Sequence, residues 1–246
     1  MKLLIHISQT NTGMVYILFN LFGIDYSINS PGVYHRRCNE LGEVVSQDFL
    51  YCSNVTKTIN ADRVHCIGLP KKFNNNQEKF DVVSNHVIDF INRNISDVKE
   101  NYVSIEGYSY GSTGTVFDIA ESTGLMKYKI YNNEHTLRLR IYEPTSIKKF
   151  ATLNGTSSKV EMGDAFSADT DKWKPDIPLN LKDYESPKAD IIDAYWACRL
   201  LQIEIYLRKG LIPLKSLHEK RIELFNAVSK KNKENLLVRD FTMRCV

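Results

Sequence analysis

The chain has 246 residues, 43% of them hydrophobic and 25% charged, which is the balance of a folded globular protein and excludes a disordered tail, a collagen-like chain or a coiled coil. Lys and Arg number 32 against 29 Asp and Glu, for a net charge of +3; so small an excess neither demands nor excludes nucleic acid as a partner. The cysteines, Cys38, Cys52, Cys66, Cys198 and Cys245, are odd in number and form no C-x-x-C pair, so they read as reduced intracellular thiols, neither a disulfide framework nor a zinc ribbon.

The opening Met1–Ile5 is briefly like a signal peptide, but His6 and Gln9 interrupt the apolar stretch and no small-residue cleavage site follows. The apolar run 14–24 is too short to span a bilayer and carries Asn20; it reads as a buried strand, apolar on both faces, that ends at Asp25. A soluble intracellular protein with no membrane partner is expected. Ser30-Pro31-Gly32 makes a turn, and short strands follow near Val33–Arg37 and Gln47–Cys52. Phe80, Val83, Val87, Ile91 and Ile95 recur at helical spacing. Tyr102–Ile105 is a second buried strand, delivering Glu106, and a helix is predicted from about Thr115 to Thr123. Leu137–Tyr142 is a further strand, broken by Glu143-Pro144-Thr145 into a short helix carrying Lys148 and Lys149. The polar stretch 154–188 reads as a mobile connection with one helical piece. Ser186-Pro187 then opens a helix, Ser as N-cap and Pro first in the helix, with Ile191, Ala194, Tyr195, Cys198 and Leu201 facing inward. An amphipathic helix over Leu217–Val228, a basic run Lys230–Lys233 and a strand at Leu236–Val238 complete the chain.

Four carboxylates sit where elements end. Asp25 and Glu106 close buried strands, and Asp190 and Asp193, three apart in the first turns of a helix, share one face. Each has an ordinary structural explanation, since the helix dipole favours Asp190 and chains often leave a core through a carboxylate. Together they can converge as oxygen donors at one rim of a mixed sheet. Mg²⁺ prefers such donors, and two ions about 4 Å apart serve phosphodiester hydrolysis. Carboxylates so crowded also repel, so at least one should have a raised pKa without metal.

The blocks that hold these carboxylates resemble those of RuvC-like Holliday junction resolvases, in the RNase H-like superfamily. Gly23-Ile24-Asp25-Tyr26-Ser27-Ile28-Asn29-Ser30-Pro31-Gly32 is similar to the first-strand motif, and Val103-Ser104-Ile105-Glu106 with its Gly-rich turn to the second acidic motif. Tyr142–Phe150, Asn154-Gly155 and Lys159 resemble the third block, and Asp190-Ile191-Ile192-Asp193-Ala194 the closing D-x-x-D-A helix. The resemblance implies an α/β fold with an RNase H-like mixed five-stranded sheet flanked by helices. It implies a homodimer that resolves four-way DNA junctions in recombination and repair, with two Mg²⁺ ions, or Mn²⁺. Asp25, Glu106, Asp190 and Asp193 would then be the catalytic metal ligands, and Lys159 would approach the scissile phosphate. Lys148 and Lys149 would touch backbone phosphates, and Tyr108 and Tyr110 are available to stack on bases. The expected organisation is an extension at 1–13, the nuclease domain at 14–208 and a helical extension at 209–246.

The chain departs from that pattern in its long connection from Asn54 to Gln77 and in the acidic residues Asp164, Asp169, Asp171 and Asp176, an unexpected approach to a DNA site. Thr10-Asn11-Thr12-Gly13 echoes a loop of relatives, but no Asp precedes it. Gly107-Tyr108-Ser109-Tyr110-Gly111 has the literal form of a hydrolase elbow; Glu106 directly before it favours the nuclease reading. The six histidines lack metal-ligand spacing and are expected to be exposed or structural. Trp196 is expected in the core and Trp173 as a contact residue. The alternatives are an RNase H-like nuclease for flaps, branched DNA or RNA–DNA hybrids, a non-catalytic junction binder, and a sugar-kinase-like ATP-binding fold, for which no second phosphate loop is found.

Overall fold

The computed structural model describes residues 8–9, 15–16, 18–54, 58–95, 98, 100–107, 116–177 and 185–230. Strands β1 (Ser8–Gln9) and β2 (Val15–Tyr16) form a two-residue antiparallel ladder. An antiparallel meander follows in β3 (Leu18–Asp25), β4 (Gly32–Asn39) and β5 (Val44–Ser53), then β6 (Ile59–Ala61) and β7 (Val64–Gly68). Helix α1 (Asn76–Asn94) leads to β8 (Glu100–Glu106), and α2 (Val116–Tyr131) leads to β9 (Leu137–Tyr142). The chain finishes with α3 (Pro144–Thr152), α4 (Lys159–Ala168), α5 (Lys188–Lys209), a 3-10 turn at Leu214–Ser216 and α6 (Glu219–Lys230). The main sheet has the order β6-β7-β5-β4-β3-β8-β9. β8 runs parallel to β3, β9 to β8 and β7 to β5. Hence β3, β5, β7, β8 and β9 all end at the same edge.

The sheet's two faces are covered differently, and strand alternation decides which residue goes where. Phe22, Ile24, Val103 and Ile105 point to the side of α1 and α2. Phe19, Leu21 and Tyr102 point to the side of α5, with α3, α4 and α6 around it. Asp25 and Glu106 continue the second series, so they open on the α5 side.

Helix α5 is buried almost all round because it lies directly on β3. Gly23 makes this possible: a Cβ there would stand 2.2 Å from the Ala194 carbonyl and 2.4 Å from the Cys198 nitrogen. Gly32 does the same at the helix start, where a Cβ would meet the Asp190 carbonyl at 2.5 Å. The Cys198 thiol donates to the Leu21 carbonyl, 3.6 Å away. Cys38, Cys52, Cys66 and Cys198 are free and buried, and burial pushes Cys38 up to about 11 and Cys52 and Cys198 to about 12, so these thiols are unreactive.

Several expectations are corrected. The sheet has seven strands, not five, because the 54–77 connection contributes β6 and β7 to its edge. The helix expected to stop at Thr123 runs to Tyr131, since Met126 and Ile130 continue its buried stripe. Ser186 is not the N-cap: Pro187 holds that position without a side-chain cap, and the helix begins at Lys188. The stretch from 154 to 177 is packed, with Met162, Phe166 and Ile177 buried in the core. Residues 178–184, Leu236–Val238 and Thr10–Gly13 lie outside the described residues.

Candidate active site

Strand register lines up one row of residues across the sheet edge. Asp25 pairs with Gly32, Gly32 with Tyr51 and Tyr51 with Cys66, while Ile24 pairs with Ile105 and Glu106 with Tyr142. Asp25 and Glu106 therefore end adjacent parallel strands, about 4.8 Å apart in the hydrogen-bonding direction, and their carboxyls are within hydrogen-bonding reach. α5 runs antiparallel to β3, so its first turn arrives above this row. Its N-terminal peptide dipoles favour negative charge there.

Asp190 is buried, and Ser30 donates its hydroxyl to Oδ2 at 2.6 Å. Ser186 is a second hydroxyl partner of the same carboxylate. Asp193 is ion-paired with Lys159, the first residue of α4. A reciprocal capping box between Ser158 and Glu161 fixes where α4 begins, and the Trp196 indole donates to the Met162 carbonyl at 3.4 Å, holding α4 on α5.

The electrostatics are those of crowded carboxylates. Burial, then Glu106, Asp193 and Asp190, push the Asp25 carboxyl well above its ordinary range, with Lys159 opposing. Burial and Asp193 raise Glu106, while burial raises Asp190 against the hydroxyls of Ser30 and Ser186. Burial works against the Lys159 ammonium, yet Asp193, Asp25 and Asp190 hold its pKa above the usual lysine value. This is the pattern of like charges sharing a site with too few counter-charges. The donor chemistry, four hard oxygen carboxylates with uncompensated charge, fits a hard divalent cation. As placed, no three His, Cys, Asp or Glu side chains among the described residues converge on one ion position. Lys159 and the two serines engage Asp193 and Asp190 instead.

The structure thus brings Asp25, Glu106, Asp190, Asp193 and Lys159 together. Lys148 is near enough to lower Glu106, but Lys149 is turned to α6, where it pairs with Glu223 at 3.0 Å. Tyr108 and Tyr110 lie outside the described residues. The acidic stretch does not line the site as its sequence position suggested. Asp171 pairs with Arg36 at 2.7 Å and Arg199 at 3.1 Å, and Asp169 accepts from the Tyr195 hydroxyl at 2.5 Å. Trp173 is half-buried, its carbonyl accepting from Arg36, and Trp196 is in the core. His35 is buried, stacked on Phe22 and bonded to Asn20. Ser30 and Ser186 are the site residues that sequence reasoning missed; hydroxyls in Pro-containing turns carry no signal of a distant carboxylate.

The strand order β5-β4-β3-β8-β9, with β4 alone reversed, and the helices on both faces define an RNase H-like α/β fold. No protein-family model matches the chain, and no curated protein matches its sequence. Among solved structures it is similar to a Thermus thermophilus RuvC structure, at 15% identity and a TM-score of 0.46, covering 79% of this chain and 97% of that one. It is also similar to T. thermophilus RuvC in complex with Holliday junction substrate, at 14% identity and a TM-score of 0.44, with the same coverage.

Proposed function

We propose that this chain is a metal-dependent endonuclease for branched DNA, with four-way junctions as its substrate, acting as a homodimer. The observation that carries the reading is the gathering of Asp25, Glu106, Asp190 and Asp193 at one sheet edge with Lys159 beside them. Asp25, Glu106, Asp190 and Asp193 would hold Mg²⁺, or Mn²⁺. Such ions, when bound, neutralise phosphate charge and lower the pKa of water, which is the chemistry phosphodiester hydrolysis requires.

The chain's own groups divide the remaining work. Burial, then the neighbouring carboxylates, raise the pKa of Asp25 and Glu106, so a bound cation would favour their ionised forms. Ser30 holds one Asp190 oxygen and so orients the other. Lys159, once exchanged from Asp193, is a cation at the right place for a non-bridging phosphate oxygen. Lys148 lies one helix away and suits a neighbouring backbone phosphate, fixing register without reading sequence. Two symmetric cuts in a junction need two such sites, hence the second copy.

The test is cleavage of a labelled synthetic four-way junction with Mg²⁺, beside duplex, flap and RNA–DNA hybrid controls. Paired nicks confined to the junction are expected, and Asp25→Asn should still bind the junction while cutting none of it. Cutting of flaps or hybrids in preference would move the substrate to another branch of the fold. Full activity in Asp25→Asn would remove the metal site.

A further inference from the structure

The 54–77 connection raises a question the carboxylates do not answer: what its two extra strands bring to the site's edge. β7 ends at Gly68 on the same edge as Asp25 and Glu106, and the row Asp25, Gly32, Tyr51, Cys66 places it three strands from Asp25. Three strand spacings are about 14 Å. Just beyond, Lys71 and Lys72 are exposed, followed by exposed Asn74, Asn75 and Asn76. The neighbouring acids are engaged elsewhere. Glu78 accepts from the Asn74 N–H at 2.7 Å, Asp81 pairs with Lys129 at 2.7 Å, and Asp118 accepts from the Asn76 amide at 3.1 Å. No ion pair is made by Lys71 or Lys72 among the described residues. The segment is also tied to the site: Lys79 donates to Asn29 at 2.5 Å, and the next residue, Ser30, holds Asp190.

We propose that Lys71 and Lys72 form a second phosphate-contact site, gripping the backbone of the duplex arm whose scissile phosphate lies at the carboxylates. This rests on the nuclease reading above. Phosphates rise about 3.4 Å per nucleotide along one strand, so the three strand spacings from Asp25 to β7 correspond to roughly four base steps, and Lys71 and Lys72 follow just beyond β7. The pair therefore meets the same arm beyond the cut, where it contributes affinity and orientation but touches no reacting atom. The β6–β7 addition widens the sheet edge from a cutting site to a cutting site with a handle.

The experiment compares junction binding across a salt series, with Mg²⁺ present and in the Asp25→Asn background so that DNA stays intact. Lys71→Ala with Lys72→Ala should weaken binding about tenfold near physiological salt. It should also flatten the slope of log K against log salt by about 1.8, the value for two lost phosphate contacts. Lys71→Arg with Lys72→Arg should restore both, and Lys172→Ala, beside the turn between β4 and β5, should change neither. In the otherwise native chain, single-turnover cleavage at saturating enzyme should keep its rate. An unchanged slope in a protein that still binds and cuts junctions overturns this inference and leaves the nuclease reading standing. Equal loss from Lys172→Ala, or a slower saturated rate with unchanged binding, overturns it too. Failure of the native chain to bind or cut branched DNA overturns the nuclease reading and this inference with it.

Discussion

Asp25 and Glu106 end neighbouring strands with Asp190 and Asp193 packed above them, and this crowding has a sign that can be measured. For Asp25, Glu106 and Asp190 the folded pKa lies above the ordinary value of 3.8 or 4.5. Their protonated forms then stabilise the fold fully below that ordinary range, and the stabilisation is lost as pH rises through the raised native values. Without metal, the melting temperature should therefore fall as pH rises above the ordinary carboxylate range. Asp25→Asn should flatten that dependence and raise the melting temperature at neutral pH, by about 2–4 °C for each kcal/mol of relieved repulsion. Mg²⁺ should stabilise the native chain by about 2.7 kcal/mol at a hundredfold excess over its dissociation constant, and much less in Asp25→Asn; EDTA should reverse the gain. A melting temperature insensitive to Mg²⁺ in both proteins would show that the carboxylates hold no ion.

At the scale of elements, the site depends on how closely α5 approaches β3. Gly23→Ala places a methyl group against backbone atoms of Ala194 and Cys198, which cannot move without moving the helix. Overpacking of this kind costs roughly 1–3 kcal/mol, and the displaced helix carries Asp190 and Asp193 away from Asp25. Denaturant unfolding should record the destabilisation, and cleavage should fall more than the loss of folded protein accounts for. Activity reduced only in proportion to stability would mean the helix settles back in place. The periodicity of the sequence revealed α5 and its inward face well, and the strand ends that carry Asp25 and Glu106. It did not reveal β6 and β7, because strands of 3 and 5 residues are too short to leave an alternating pattern, and it stopped α2 at Thr123, although Gly124, the next residue, faces open space and does not break the helix.

Across the whole molecule, the acidic stretch after α4 serves the core. Arg36 is fully buried, with Asp171 as its ion-pair partner and Tyr34, Gln202 and the Trp173 carbonyl accepting or bonding its remaining nitrogens. Asp171→Ala should destabilise the protein by about 3–5 kcal/mol in denaturant unfolding, because it leaves a buried charge without its partner. Arg36→Met added to Asp171→Ala should recover part of that loss. A single variant as stable as the parent would show that the segment carries no structural load.

The sequence by itself determined the order of the core elements and the positions where carboxylates leave it. Both follow from local periodicity, from turn residues and from the chemistry of strand and helix ends. Only the tertiary structure decided that these carboxylates meet, that Ser30 and Lys159 engage two of them, and that Asp171 faces a buried arginine away from the site. Those facts depend on pairings 34 to 160 residues apart in the chain, and contacts across such distances are set by sheet register and helix packing, which no local pattern encodes.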